Sequence, residues 1–140
     1  MEPVGAVVLG AVLLAATAFG LYRRRTDGRV RPVTVAADGQ HITSDDLGVP
    51  LGASATLVQF SSAFCQPCRA TRQLLGEVAG MVDGVVHVDV DAESQLDLVR
   101  RLDVMRTPTV FVLDSDGRVV RRAAGVPAKA DVIAAIGQVV

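Results

Sequence analysis

A run of nineteen residues without a charge, from position 4 to position 22, limits most strongly how this chain can fold. A helix that rises about 1.5 Å per residue would cover roughly 28 Å over this run, which is close to the hydrocarbon thickness of a bilayer. The run lacks the polar face of a helix in a soluble core, and Arg23, Arg24 and Arg25 follow it directly. We therefore predict a single transmembrane anchor over residues 1–22.

The arginines after the run also predict an orientation. By the positive-inside rule they belong on the cytoplasmic side of the cell membrane, which places the C-terminal domain of this single-pass protein in the cytoplasm. An extracytoplasmic domain is the alternative. A cleavable signal peptide is a second alternative, because Ala16-Thr17-Ala18 offers a small-x-small site, although no positive charge precedes the run.

The rest of the chain has the composition of one globular domain. We assign residues 23–32 to a charged linker and residues 33–140 to the domain, because apolar residues make up 50% of the 140-residue chain and charged residues 21%. A formal net charge of −1 gives no general attraction to nucleic acid, so we expect no nucleic-acid partner. The excess of Arg over Lys, with much Ala, Val and Gly, is typical of bacteria with GC-rich genomes.

The apolar pattern of the domain predicts alternating strands and helices. The order β-α-β-α-β-β-α indicates an α/β fold, with a central mixed sheet flanked by helices. The predicted segments are a short edge strand at 33–35, a brief helix after an N-cap at 44–46, strands at 56–60 and 85–91, helices at 65–80 and 93–103, a hairpin of strands at 109–113 and 118–120, and a helix at 128–140.

The two cysteines of the chain lie three residues apart, as Cys65-Gln66-Pro67-Cys68, directly after a predicted buried strand. A cysteine in the first turn of a helix meets free backbone N–H groups and the helix dipole, which stabilise a thiolate and make Cys65 the expected nucleophile. Cys68 lies within disulfide reach on the same turn, so it can attack a mixed disulfide at Cys65 and release the substrate. The spacing therefore predicts a catalytic dithiol.

Phe64 and this dithiol, followed about forty residues later by Thr107-Pro108-Thr109, resemble the thioredoxin family over roughly residues 33–140. The resemblance implies a thioredoxin fold and thiol–disulfide oxidoreductase activity on protein disulfides, with electrons from an upstream reductase or another dithiol. It implies no cofactor. It also implies that Pro108 is cis and faces the dithiol, and that Phe64, Thr107 and Pro108 contact the substrate, Phe64 as an aromatic lid.

Two positions depart from the family pattern. Gln59 stands where a buried Asp often assists proton transfer, and an amide cannot ionise. His87 stands where a Lys is often found. It could titrate near neutral pH and serve the buried thiol, but an alternating strand favours a solvent-facing histidine instead. Arg69, Arg72 and Arg106 could form a positive rim around the site, or be ordinary solvated charges.

A binding function is the alternative to redox catalysis. Cys65 and Cys68 could hold a soft metal, Zn or Cu(I), but two thiolates fill only half of a tetrahedral site. His41, His87 or a second chain would have to complete the site. We therefore assign no metal, and we keep this module, or a redox-linked scaffold at the membrane, as the alternative function.

Overall fold

The centre of the fold is a strand whose seven side chains are all buried, at residues Ala55–Ser61. The computed structural model describes residues 3–32 and 40–140. Its elements in chain order are α1 Pro3–Thr26, β1 Arg31–Pro32, α2 Ser44–Leu47, β2 Ala55–Ser61, α3 Gln66–Met81, β3 Val85–Asp91, α4 Leu96–Arg101, β4 Thr109–Asp114, β5 Val119–Ala124 and α5 Lys129–Gly137. This sequence of elements confirms the predicted mixed sheet flanked by helices.

The five strands form one sheet in the order β1-β5-β4-β2-β3. Strand β3 runs parallel to β2, whereas β4 is antiparallel to β2, β5 to β4, and β1 to β5. One end of the sheet therefore collects the last residues of β2, β3 and β5 with the first residues of β1 and β4. We call this end of the sheet the dithiol end, because Cys65 and Cys68 follow β2 there.

Each face of the sheet has its own apolar core. On one face α3 and α5 pack against the sheet, with a core of Ala55, Leu57, Leu75, Val78, Val85, Val110, Val112, Val132, Ala135 and Ile136. On the other face the core includes residues of α4 and Ile42, which precedes α2; its members are Ile42, Val58, Phe60, Val90, Leu98, Leu102, Phe111, Leu113 and Val119. Because β2 and β4 lie in the middle of the sheet, their side chains enter both cores.

Helix α1 buries none of its residues, and its length and apolar composition fit a helix that crosses a membrane. It continues past the predicted end of the anchor through the three arginines to Thr26. Arginine is a good helix former, and positive charge is favourable at a helix C-terminus. Gly28, with φ 74°, follows the helix, and Arg31 and Pro32 pair with β5. The assigned linker at 23–32 is thus partly helix and partly strand.

Two predicted helix boundaries differ from the structure for local reasons. The helix predicted at 93–103 is shorter, because the Asp91 carboxylate accepts from Glu93 N–H at 3.0 Å and from the Ser94 hydroxyl at 2.8 Å, forming a turn before α4. The cap of α2 is Thr43, whose hydroxyl and backbone N–H exchange hydrogen bonds with Asp46. The edge strand predicted at 33–35 lies outside the described residues.

Candidate active site

Cys65 and Cys68 are joined by a disulfide at the start of α3. Their sulfurs are 2.07 Å apart and their Cα atoms 5.2 Å apart. Cys65 is the N-cap residue of the helix, and Cys68 N–H donates to its sulfur at 3.2 Å. Pro67 lies in the first turn, where a missing N–H costs no helical hydrogen bond. The site is therefore a dithiol in its oxidised form, with one sulfur at the free N–H groups of a sixteen-residue helix.

The two cysteines differ sharply in exposure. Cys68 is only 1% exposed, whereas Cys65 is only partly buried. An incoming sulfur can therefore reach Cys65 but not Cys68. This asymmetry comes from the helix itself, because the first turn directs Cys68 toward the sheet while the N-cap residue stays at its edge.

The loop before β4 lies against the loop that carries the dithiol. The Thr107–Pro108 peptide bond is cis, as the resemblance implies. The hydroxyls of Ser62 and Thr107 are 2.8 Å apart, and Gly125 N–H donates to the Pro108 carbonyl at 2.8 Å. Three segments distant in sequence thus meet at the dithiol end.

Phe64 does not cover the dithiol as a lid, so the lid prediction is wrong. Its side chain is 104% exposed, and its backbone lies in the left-handed region with φ 60°. A side chain with this exposure is covered by none of the described residues. Met105, two residues before Thr107, is 82% exposed. Large apolar side chains are therefore free for contact at this end of the domain.

A buried polar network lies behind Cys68. Gln59 is fully buried, and its amide nitrogen donates to the Cys68 carbonyl at 2.8 Å and to the Ser61 hydroxyl at 3.1 Å. Its amide oxygen lies 3.1 Å from His87 Nε2. Because both protons of the amide are used elsewhere, the oxygen accepts and His87 Nε2 donates. Gln59 therefore connects His87 with the main chain of the buried cysteine.

His87 is half-buried, so the expectation of a solvent-facing histidine is wrong. Burial lowers the pKa of His87 and the nearby Arg72 lowers it further, while the Asp89 carboxylate acts in the opposite direction. Asp89 accepts from Ser61 and from Arg72 Nε, the latter at 2.7 Å. The lowered pKa favours the neutral imidazole, which belongs to a network that reaches the surface at Arg72.

The arginines of the predicted rim have separate roles. Arg72 binds Asp89, and Arg106 binds Asp27 at 2.9 Å, while Arg69 is exposed. Two of the three charges are thus neutralised by carboxylates. Spacing in the sequence gave no signal for the Ser61 and Asp89 contacts, because they form only when β2 and β3 pair in register.

The residues expected to complete a metal site do not come together. Across 3–32 and 40–140, no group of three or more His, Cys, Asp or Glu side chains could hold a metal ion. His41 forms an isolated bridge with Arg118, at the end of the sheet opposite the dithiol. His87 is engaged with Gln59. The arrangement instead suits sulfur exchange: an accessible sulfur at a helix N-terminus, with a buried partner, defines a thiol–disulfide oxidoreductase on a mixed α/β sheet.

Comparisons with known proteins identify the family. The Thioredoxin family model matches residues 45–138. A thioredoxin of Mycolicibacterium smegmatis is 32% identical over 100 residues, covering 69% of this chain and 86% of its own length. Thioredoxin H5 of Oryza sativa subsp. japonica is 26% identical over 93 residues, covering 66% and 69%.

Solved structures agree. The crystal structure of chloroplastic thioredoxin z is 25% identical, with a TM-score of 0.59, and the match covers 70% of this chain and 90% of that one. Reduced Schistosoma mansoni thioredoxin pre-protein, 21% identical, shares the fold with a TM-score of 0.55 and coverage of 64% and 82%. The chain belongs to the thioredoxin family. It is a thiol–disulfide oxidoreductase that acts on protein disulfides.

Proposed function

We propose that Cys65 is the attacking thiol and Cys68 the resolving thiol of this oxidoreductase. The difference in exposure carries the proposal, because only Cys65 can be reached by the sulfur of another protein. The helix N-terminus supports it further, since N–H groups there stabilise a thiolate on Cys65. Among the described residues, the Cys65 sulfur accepts from Cys68 N–H, which belongs to that first turn.

The exchange then proceeds in two balanced steps. The Cys65 thiolate attacks one sulfur of a substrate disulfide, a new bond joins Cys65 to the substrate, and the second substrate sulfur leaves as a thiolate. The Cys68 thiolate next attacks the Cys65 sulfur and releases the first substrate sulfur. Two electrons have passed to the substrate, and the chain holds its Cys65–Cys68 disulfide. An upstream reductase or dithiol returns it to the reduced form.

We further propose that Phe64, Thr107 and Pro108 contact the substrate. The full exposure of Phe64 supports this, because removing a large apolar side chain from water makes binding of a partner more favourable. Thr107 lies beside Ser62 in the loop that faces the dithiol. A substrate segment that lies extended along this loop would bring its sulfur to Cys65.

Insulin reduction by the full chain in detergent micelles tests the roles of the cysteines. Cys65→Ser should abolish turnover, whereas Cys68→Ser should abolish turnover but accumulate a mixed disulfide between Cys65 and the substrate. Asp116→Ser, in an exposed turn at the opposite end of the sheet, is the control and should keep the wild-type rate. A mixed disulfide at Cys68 in the Cys65→Ser protein, or turnover without Cys65, would contradict the proposal.

We also propose that α1 anchors the chain as a single-pass helix and that the catalytic domain lies in the cytoplasm. The unburied apolar surface of α1 supports the anchor, and Arg23–Arg25 support the orientation. Reaction of intact cells with a membrane-impermeant maleimide tests both, on an Asp116→Cys variant that also carries Cys65→Ser and Cys68→Ser. The maleimide should react with the introduced cysteine only after the cells are lysed. Labelling of intact cells would place the domain outside, and recovery of the chain from the soluble fraction would indicate cleavage.

A further inference from the structure

The chain enters the sheet at the dithiol end. Strand β1 is antiparallel to β5 and pairs Arg31 with Arg122 and Pro32 with Arg121. Residues before Arg31 therefore lie beyond Arg122, toward Ala124, where β5 ends. That end of β5 is the one nearest to Pro108, because Gly125 N–H donates to the Pro108 carbonyl. The segment that follows α1 thus reaches the domain beside its active-site loops.

Three kinds of contact hold this segment against those loops. The Asp27 carboxylate binds Arg106 at 2.9 Å, and Arg106 directly precedes Thr107. Gly28 N–H donates to the Ala124 carbonyl at 2.7 Å. The backbone is so close at Gly28 that an added Cβ would lie 1.9 Å from the Val126 oxygen. The end of the helix is therefore fastened to the dithiol end by an ion pair, a hydrogen bond and close packing.

Little chain separates the helix from these contacts. Helix α1 ends at Thr26, and Asp27 and Gly28 are the next two residues. Two extended residues span at most about 7 Å, and the helical turn from Arg23 to Thr26 adds about 6 Å. If the apolar run lies in the bilayer, the site loops lie on the order of 10–20 Å from the lipid surface, whereas the turn at Asp116 lies at the far end of the sheet.

We propose that α1 holds the dithiol end of the domain toward the lipid surface, so that its exchange partner is a membrane protein whose disulfide or dithiol lies close to the bilayer. The inference rests on the proposed membrane anchor. Exposed Phe64 and Met105 support it, because both lie at the dithiol end and would face such a partner. A large soluble protein would meet the membrane before it reached Cys65.

Spin labels test the orientation directly. Met105→Cys and Asp116→Cys are exposed positions at opposite ends of the sheet, and each is combined with Cys65→Ser and Cys68→Ser and labelled in the full chain. The proteins are reconstituted in phosphatidylcholine and phosphatidylglycerol vesicles that contain a nickel-chelating lipid. Relaxation by surface nickel should be several-fold stronger at Met105→Cys than at Asp116→Cys. Equal relaxation, or the reverse order, overturns the proposal.

A linker insertion tests the partner. Fifteen Gly and Ser residues are inserted between Thr26 and Asp27 of the full chain, and the same insert between Ser115 and Asp116 is the control. The substrates are a reconstituted single-span peptide with a disulfide three residues outside the membrane, and insulin. The first insertion should lower the rate ratio of peptide to insulin about tenfold, because the local concentration and orientation are lost. The control should keep the ratio.

An unchanged ratio would overturn the proposal. Separate controls distinguish a failure of the proposed orientation from a failure of the membrane anchor or of the dithiol activity. Flotation with the vesicles reports whether α1 is inserted at all, and insulin reduction in detergent reports whether the dithiol is active. A chain that floats and reduces insulin, but shows equal nickel relaxation at both labels, contradicts only the orientation.

Discussion

The two ends of the sheet are built differently. At the far end, the turn between β4 and β5 carries no cysteine; the Asp114 carboxylate accepts from the backbone N–H groups of Asp116 and Arg118 at 3.0 and 2.9 Å, and the Gly117 carbonyl accepts from Ile42 N–H at 2.9 Å. At the dithiol end, contacts join the loop that carries the cysteines to the loop before β4, as between Ser62 and Thr107, 45 residues apart. Substitutions at the far end should therefore change stability alone, and those at the dithiol end should also change exchange.

The largest expected effect on stability is that of Gly117→Ala at the far end. Gly117 has φ 85°, and an added Cβ would lie 2.3 Å from the Ile42 carbonyl oxygen. The left-handed conformation costs about 1–2 kcal/mol for a residue with a side chain, and a shift of the backbone adds to it. We expect the free energy of unfolding to fall by about 2–4 kcal/mol in urea titrations.

Gly48→Ala is the matched control for this prediction. Gly48 has φ 70° after α2, but an added Cβ would meet nothing within 4 Å. It should therefore cost only about 1 kcal/mol. Insulin reduction by either folded variant should match the wild type, and a slower rate would mean that the far end does affect the site.

Gln59→Leu should have the next largest effect on stability, and because it lies at the dithiol end it should also slow exchange. The change leaves the buried Cys68 carbonyl and His87 Nε2 without their partner, at a cost of about 2 kcal/mol. Because Gln59 also holds the main chain of the resolving cysteine, release of the mixed disulfide should slow. Urea titration and stopped-flow insulin reduction measure the two effects.

Thr56→Val in the same strand is its control. Thr56 is fully buried, and its hydroxyl accepts from Gly52 N–H at 2.9 Å, away from the dithiol. It should lower stability by about 1–2 kcal/mol and leave the exchange rate unchanged. Equal exchange rates in the two variants would show that Gln59 contributes to stability and not to exchange.

Gly28→Ala should have a smaller effect on global stability than Gly117→Ala, although the close approach is tighter. Gly28 has φ 74° and lies where the anchor segment joins the domain. This segment can separate from the Val126 loop without opening either core, so we expect a loss of about 1 kcal/mol. The nickel relaxation at Met105→Cys should fall in this variant, and an unchanged relaxation would mean that the ion pair with Arg106 is sufficient.

The smallest effect concerns pH. Burial lowers the pKa of His87 below its ordinary value of 6.5. Between these two pKa values, the unfolded chain binds a proton at His87 more readily than the folded chain does. Stability should therefore fall as pH decreases from about 6.5 through the folded pKa, and level off below it. His87→Asn should remove this decrease in urea titrations between pH 7 and 5. The control His41→Asn, at the far end, should still lose stability as the pH decreases. If the control loses this pH dependence, His87 is not its source.

Local patterns predicted most elements of the fold. The mostly apolar, β-prone segment at 56–60 predicted a strand buried on both faces, and the Asp116-Gly117 pair marked the hairpin. The helix at 65–80 and the strand at 85–91 agree with α3 and β3 within one residue. The helix at 93–103 was too long because side chains of a turn compete with the backbone for hydrogen bonds, and no periodicity reports that competition.

The candidate site was predictable only in part. The dithiol is a local motif, and the cis bond at Pro108 followed from the resemblance. His87 is less exposed than predicted and Phe64 is more exposed than predicted. The exposure of each depends on which side chains the neighbouring strand or loop places beside it. The alternation of β3 could not show that Gln59 would place its amide oxygen against His87.

The sequence by itself determined an apolar helix ahead of one α/β domain, and a reactive pair at the first turn of a helix. These features depend on residues close together in the chain, through helical rise, strand alternation and the free N–H groups of a helix end. Tertiary structure decided which cysteine is buried, what lies behind it, and that the segment after α1 is fastened to Arg106 and Ala124. Those depend on strand order and register, which place distant residues in contact only when the whole sheet forms.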